Sequence, residues 1–182
     1  MMKLLLLILL SNLGMTVLQA QVSYSLGRTV KGKNVSYYCP KESTLTVTVR
    51  NTKNIDTLQT MYFENGEIVP DDWELSGQLG FEQKELVQTL KNALTMEEWE
   101  LWKSKKVLFQ ILVVADKTGN TLEIEFMFLK TDPVFSKIDP DRLFLLETNL
   151  KKLLKLQVGE GDRRIKHLKY IVPINNKDVR NA

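Results

Sequence analysis

The sequence has little of what most enzymatic chemistry requires. One histidine, His167, and one cysteine, Cys39, stand among 182 residues. A single cysteine excludes an internal disulfide. A Cys–His nucleophilic pair would have to join two residues 128 positions apart, with no third group marked in sequence to orient the base. Cys39, in Tyr37-Tyr38-Cys39-Pro40, reads instead as a small buried hydrophobe at the end of a strand. A Gly-rich phosphate loop, a paired-His metal motif and a Ser nucleophile elbow are all missing, so the sequence implies no cofactor and no metal. Five prolines and nine glycines are too few for a Pro-rich spacer or a low-complexity arm. A net charge of +3, without aromatic interleaving of the basic residues, does not call for nucleic acid.

What remains is the composition of a globular chain, 43% hydrophobic and 26% charged, long enough for one domain or one domain with a small companion. Met1-Met2-Lys3 precedes a run of seven apolar residues, Leu4 to Leu10, which Ser11-Asn12 interrupts. That run is too short for a permanent membrane span. It predicts a cleaved secretory signal over residues 1–20, with the cut after Ala20, and hence a periplasmic or secreted protein with no span after cleavage. The mature chain would carry 24 basic against 22 acidic residues, because only Lys3 is lost.

Residues 21–78 read as β-rich. Leu45, Val47 and Val49 alternate with Thr44, Thr46 and Thr48, the period of a half-buried strand. Leu58 to Phe63 reads as a return strand, and Asn65-Gly66 as a hairpin turn leading to Ile68-Val69. Asn34-Val35-Ser36 forms a glycosylation sequon. Asp71, Asp72 and Glu74 surround Trp73 without the donor spacing of a calcium loop, and read as a solvated loop whose Trp73 covers the core edge.

From residue 79 onward the periods turn helical. Leu86, Val87, Leu90, Ala93 and Leu94 share one face of a helix over 81–94. Thr95 and Glu98 form a capping box that opens a second short helix, whose Trp99 and Trp102 read as core anchors. Val107–Val114, the turn Asp116–Asn120 and Leu122–Phe128 form a strand hairpin. Asp139 then caps a helix with Pro140 at its first position, striped by Leu143, Leu146, Leu150, Leu153 and Leu154 and ending toward Gly159. A last strand runs from about Arg164 into Pro173-Ile174. The predicted class is α+β: a small antiparallel sheet packed by helices, with a helix-strand-strand-helix-strand unit after a β-rich segment.

Three stretches carry a family resemblance: Val113 to Leu122, Ile138-Asp139-Pro140-Asp141 with its helix, and Tyr170-Ile171-Val172-Pro173-Ile174-Asn175. Residues 79–178 thereby resemble the C-terminal domain of TonB. The Trp and Pro-Gly usual between last helix and last strand are not kept here, except for Gly159. The inner-membrane anchor and long Pro-rich spacer of energy transducers are also missing. The resemblance implies a non-enzymatic module of the cell envelope that pairs an extended partner peptide along a sheet edge.

A basic patch is consistent with an acidic partner, anionic lipid or polyanion, and equally with a solvated face. Residues 151–169 hold seven bases (Lys151, Lys152, Lys155, Arg163, Arg164, Lys166, Lys169) against Glu160 and Asp162, a local charge of +5. Arg164, Lys166, His167, Lys169 and Ile171 are therefore the expected partner-binding residues, with lysines that also keep an edge strand from aggregating. The competing readings are a small envelope enzyme using Asp71, Asp72 and Glu74 with His167, and a purely structural envelope protein.

Overall fold

The computed structural model describes residues 23–56, 60–106 and 108–180; the expected signal sequence lies outside them. Among these described residues eight strands and four helices follow in chain order. Strands β1 (Thr29–Lys31), β2 (Ser36–Glu42), β3 (Thr46–Asn51) and β4 (Gln78–Leu79) precede helices α1 (Gln83–Asn92) and α2 (Met96–Lys103). Strands β5 (Leu108–Asp116) and β6 (Thr121–Leu129), helix α3 (Pro140–Leu153), strands β7 (Leu156–Gln157) and β8 (His167–Asn175), and helix α4 (Asn176–Arg180) complete the chain. The α+β class is as expected.

Six strands form one antiparallel sheet in the order β1-β2-β3-β6-β5-β8. The β-rich segment and the later strands thus share a sheet through the pairing of β3 with β6. Its core face follows from register. Phe109 lies opposite both Phe128 and Ile174, Ile111 opposite Phe126 and Val172, and Val113 opposite Ile124 and Tyr170. Val47 and Val49 of β3 and Tyr37 and Cys39 of β2 continue this face. The helices pack on it. In α3, Leu143, Leu146 and Leu150 are fully buried, and Leu154 just past its end is too. Each such leucine contributes about 1.5–3 kcal/mol before entropy is charged. Trp99 and Trp102 are core anchors, as their spacing suggested, and Trp102 donates its indole N–H to Asp132 at 2.7 Å.

The local signals held where they were chemical. Asp139 accepts from the N–H groups of Asp141 and Arg142, and Thr95 with Glu98 completes a reciprocal capping box. Asp116 ties its own turn by accepting from Thr118 and Asn120. Asn65-Gly66 makes the expected turn, with Gly66 at φ 89° and Tyr62 bridging Ile68.

Two boundaries differ from expectation. The α3 helix stops at Leu153, not near Gly159. The chain there turns extended, because Leu156 gives its N–H to the carbonyl of Gly119 and pairs with Leu79 of β4. Arg164 is not part of the last strand. It ends a 3-10 turn over Glu160–Arg164, and Lys166 occupies a bend before β8 begins at His167. The buried carboxylate of Asp162 fixes that turn by accepting from the Trp73 indole, at 3.0 Å, and from the Ser76 backbone and hydroxyl.

Candidate functional site

Side chains alternate across a strand, so the residues between the core positions share the opposite face. No described helix packs on that face. Across it, Arg50 of β3 lies opposite Glu125 of β6, Glu125 opposite Leu112 of β5, and Leu112 opposite Ile171 of β8. The next row is Thr48, Met127, Gln110 and Pro173. All of these except Pro173 line a groove of about 370 Å³, together with Pro40, Lys41, Ser43 and Thr46. At the other end residues 54–56 fold onto the sheet. Ile55 and Asp56 donate their N–H groups to the Glu123 carboxylate at 2.7 and 2.9 Å, and Asn54 donates to the carbonyl of Ile124.

The electrostatics of this face are mixed. The Arg50 guanidinium stands 3.6 Å from Glu125, and both side chains are about nine-tenths buried, 11% and 9% exposed. It also lies over the Tyr38 ring at 5.6 Å. Burial depresses the Lys169 ammonium from its usual range, opposed by the charges of Glu125, Glu123 and Asp56. His167 stands 3.5 Å from Asp56.

The edge of the sheet adjoins this groove. Strand β8 pairs with β5 and with no other described strand. Asp116 of β5 donates to Asn120, on the β6 side, so the odd-numbered residues of β5 face β8. Their partners in β8 are Leu168, Tyr170, Val172 and Ile174. The backbone of Ile171 and Asn175 therefore points away from the sheet, as does the carbonyl of Pro173. The placement of Pro173 agrees, since a proline is tolerated where the ladder needs no donor. Asn175 directs its N–H to Asp178 at 3.0 Å.

Of the five expected binding residues, the structure brings His167, Lys169 and Ile171 together on the helix-free face, with Ile171 55% exposed. Arg164 stands apart, its guanidinium 4.8 Å from the rings of both Phe63 and Trp73, and Lys166 is exposed beside it. Asp71, Asp72 and Glu74 are exposed in a loop, and Trp73 packs at the edge of a second small core containing Ile165 and Leu168. Among the described residues no group of three or more His, Cys, Asp or Glu side chains is placed to hold a metal ion. Cys39 is buried, and desolvation pushes its thiol up to about 11, with Glu42 adding to the shift and Lys130 opposing it. That thiol remains protonated at neutral pH. No described helix is long and apolar enough to cross a membrane.

Sequence reasoning missed the Arg50–Glu125 pair. The only available signal was that both residues sit at polar positions of alternating strands, 75 residues apart.

Comparison with known proteins adds a fold. No family model and no curated protein matches the chain. A crystal structure of a DUF5043 family protein from Bacteroides uniformis superposes with a TM-score of 0.68 at 17% identity, covering 86% of this chain and 89% of that one. The likeness extends over both the β-rich segment and the later helices and strands.

Proposed function

We propose that the protein is a non-enzymatic binding module of the cell envelope or exterior, which receives an extended peptide of a partner along β8. The single observation that carries this reading is the one-sided pairing of β8 along its nine residues. An incoming strand finds backbone groups of Ile171 and Pro173 turned outward and Ile171 exposed beside them. The basic residues Arg163, Lys166 and Lys177 lie near the two ends of β8 and favour an acidic segment. The export expected from residues 1–20 would place such a module outside the cytoplasm.

The test uses an eight-residue peptide alternating Val and Glu, followed by amide exchange and amide shift mapping. Slowed exchange at Ile171, with perturbation confined to β8, is the expected result. Ile171→Pro removes an outward donor while leaving the β5 ladder intact, and should abolish capture without unfolding the protein. Binding that leaves β8 unperturbed, or survives Ile171→Pro in a folded variant, defeats the proposal.

A further inference from the structure

We infer that the groove on the helix-free face is a binding site for a small amphipathic carboxylate, a molecule with one carboxylate on a short apolar body. The inference stands on the groove floor and not on the β8 edge, so the two readings can fail separately.

The first argument concerns Arg50. A guanidinium carries five donors in a fixed fork, matched to a carboxylate. Arg50 donates no hydrogen bond among the described residues. Its contacts are Glu125, at a distance beyond hydrogen-bond reach, and the Tyr38 ring. Keeping the Arg50 guanidinium out of water costs several kcal/mol unless good geometry offsets it, and 3.6 Å is not good geometry. Among the described residues no helix or second sheet covers this face.

The second argument concerns shape and lining. Pockets for small ligands are concave, mostly apolar and equipped with a few polar groups that fix orientation. The groove offers Leu112, Met127, Ile171 and Pro40 as apolar surface, and Gln110, Thr48 and Arg50 as polar groups. Its volume of about 370 Å³ suits a molecule of that kind. Lys41 at the rim adds positive charge, so the lining carries two cations against the one carboxylate of Glu125.

The occupant follows from this arrangement. Its carboxylate takes the unfilled donors of Arg50, with Glu125 holding the guanidinium from the other side. Its apolar body lies along Leu112, Met127 and Ile171, toward β8.

Octanoate, below its micellar concentration, tests the site by titration calorimetry and by methyl shifts in the whole protein. Saturable binding is expected, with shifts at Leu112, Met127 and Ile171. Octan-1-ol should bind at least about tenfold more weakly, since it cannot accept a charged fork. Arg50→Gln should weaken octanoate by about tenfold or more, while Arg50→Lys retains part of the affinity. If Arg50→Gln fails to fold, Gln110→Glu serves instead: a half-exposed polar residue gains a charge that repels the ligand without disturbing the core. Absence of saturable binding, equal affinity for the alcohol, shifts elsewhere than in the groove, or full affinity in a folded Arg50→Gln or Gln110→Glu variant each overturn the inference.

Discussion

On the covered face of the sheet, Phe109 meets Phe126, Phe128 and Phe135, and Phe128 also meets Phe135, at ring-centre distances of 4.3 to 6.3 Å. On the other face the same strands present the half-buried Gln110, Leu112 and Met127 and the buried Glu125, with no described helix over them. Both faces belong to β5 and β6, so strand propensity cannot distinguish them. The covered face is specified by volume, since its side chains must fill a closed space. The other face is specified more by chemistry, since it keeps the Arg50–Glu125 pair and the Glu123 carboxylate at nearly buried positions. A fold of this kind is therefore held from one side, and it is the other side that the proposed binding would use.

The sharpest way to break that contrast is truncation on each side. Leu150→Ala, under the helical layer, should cost about 2–5 kcal/mol in denaturant unfolding. Leu112→Ala on the open face should cost no more than about 1 kcal/mol. Equal costs would show that the open face is also a packed layer.

Adjacent tyrosines of β2 give the next test. Tyr37 donates to the fully buried Glu147 at 2.5 Å, alongside Asn51 and the Lys151 ammonium. Burial, and then Glu147, raise the Tyr37 phenol far above its ordinary range, so it remains a donor. Tyr37→Phe should cost about 1.5–3 kcal/mol by leaving a buried carboxylate short of a partner. Tyr38→Phe, one residue along and facing the other way, should change stability by less than about 0.5 kcal/mol. Thermal melts of the two variants decide it.

A smaller effect belongs to the helical layer itself. Arg142 of α3 grips Glu98 of α2 through both guanidinium nitrogens and also reaches the carbonyl of Ala93. The Arg142 hydrogen bond, against some desolvation, lowers the Glu98 carboxyl from 4.5 to about 2. A depressed carboxylate contributes stability that is present above pH 4.5 and is lost as pH falls toward 2. Because the pair is partly exposed, about 1 kcal/mol is expected after screening. Arg142→Ala should remove that part of the acid dependence, read from unfolding free energies between pH 5 and about pH 2. The smallest effect is expected at Leu145, on the outward side of α3 and 59% exposed, where Ala should change stability by less than about 0.5 kcal/mol.

How much of this was legible in the sequence depended on whether the signal was local. Asp139-Pro140, Thr95 with Glu98 and the Asp116–Asn120 turn each contain their own reason in a few neighbouring residues, and all three formed. The end of α3 did not, because it is set by the carbonyl of Gly119, 37 residues upstream of Leu156. Arg164 read as strand by alternation, but the Asp162 carboxylate and the rings of Phe63 and Trp73 hold it in a turn. The groove was the least legible feature. Arg50 and Glu125 each look like solvated charges until β3 is set beside β6. The resemblance to TonB likewise covered only residues 79–178, whereas β1, β2 and β3 supply half of the six-stranded sheet.

The turn between β5 and β6 has a practical consequence. Gly119 sits at φ 86°, and a methyl group there would lie 1.8 Å from the carbonyl oxygen of Leu156. Hairpin tips are ordinarily where a fluorescent tag or an epitope can be spliced into a protein, but this one is sealed beneath another stretch of chain. The tip at Asn65-Gly66 has the same left-handed glycine, yet nothing lies within 4 Å of where its side chain would be. A label intended to follow this protein in cells belongs at residue 66, remote from the region around Gly119 that fastens helix α3 to the sheet.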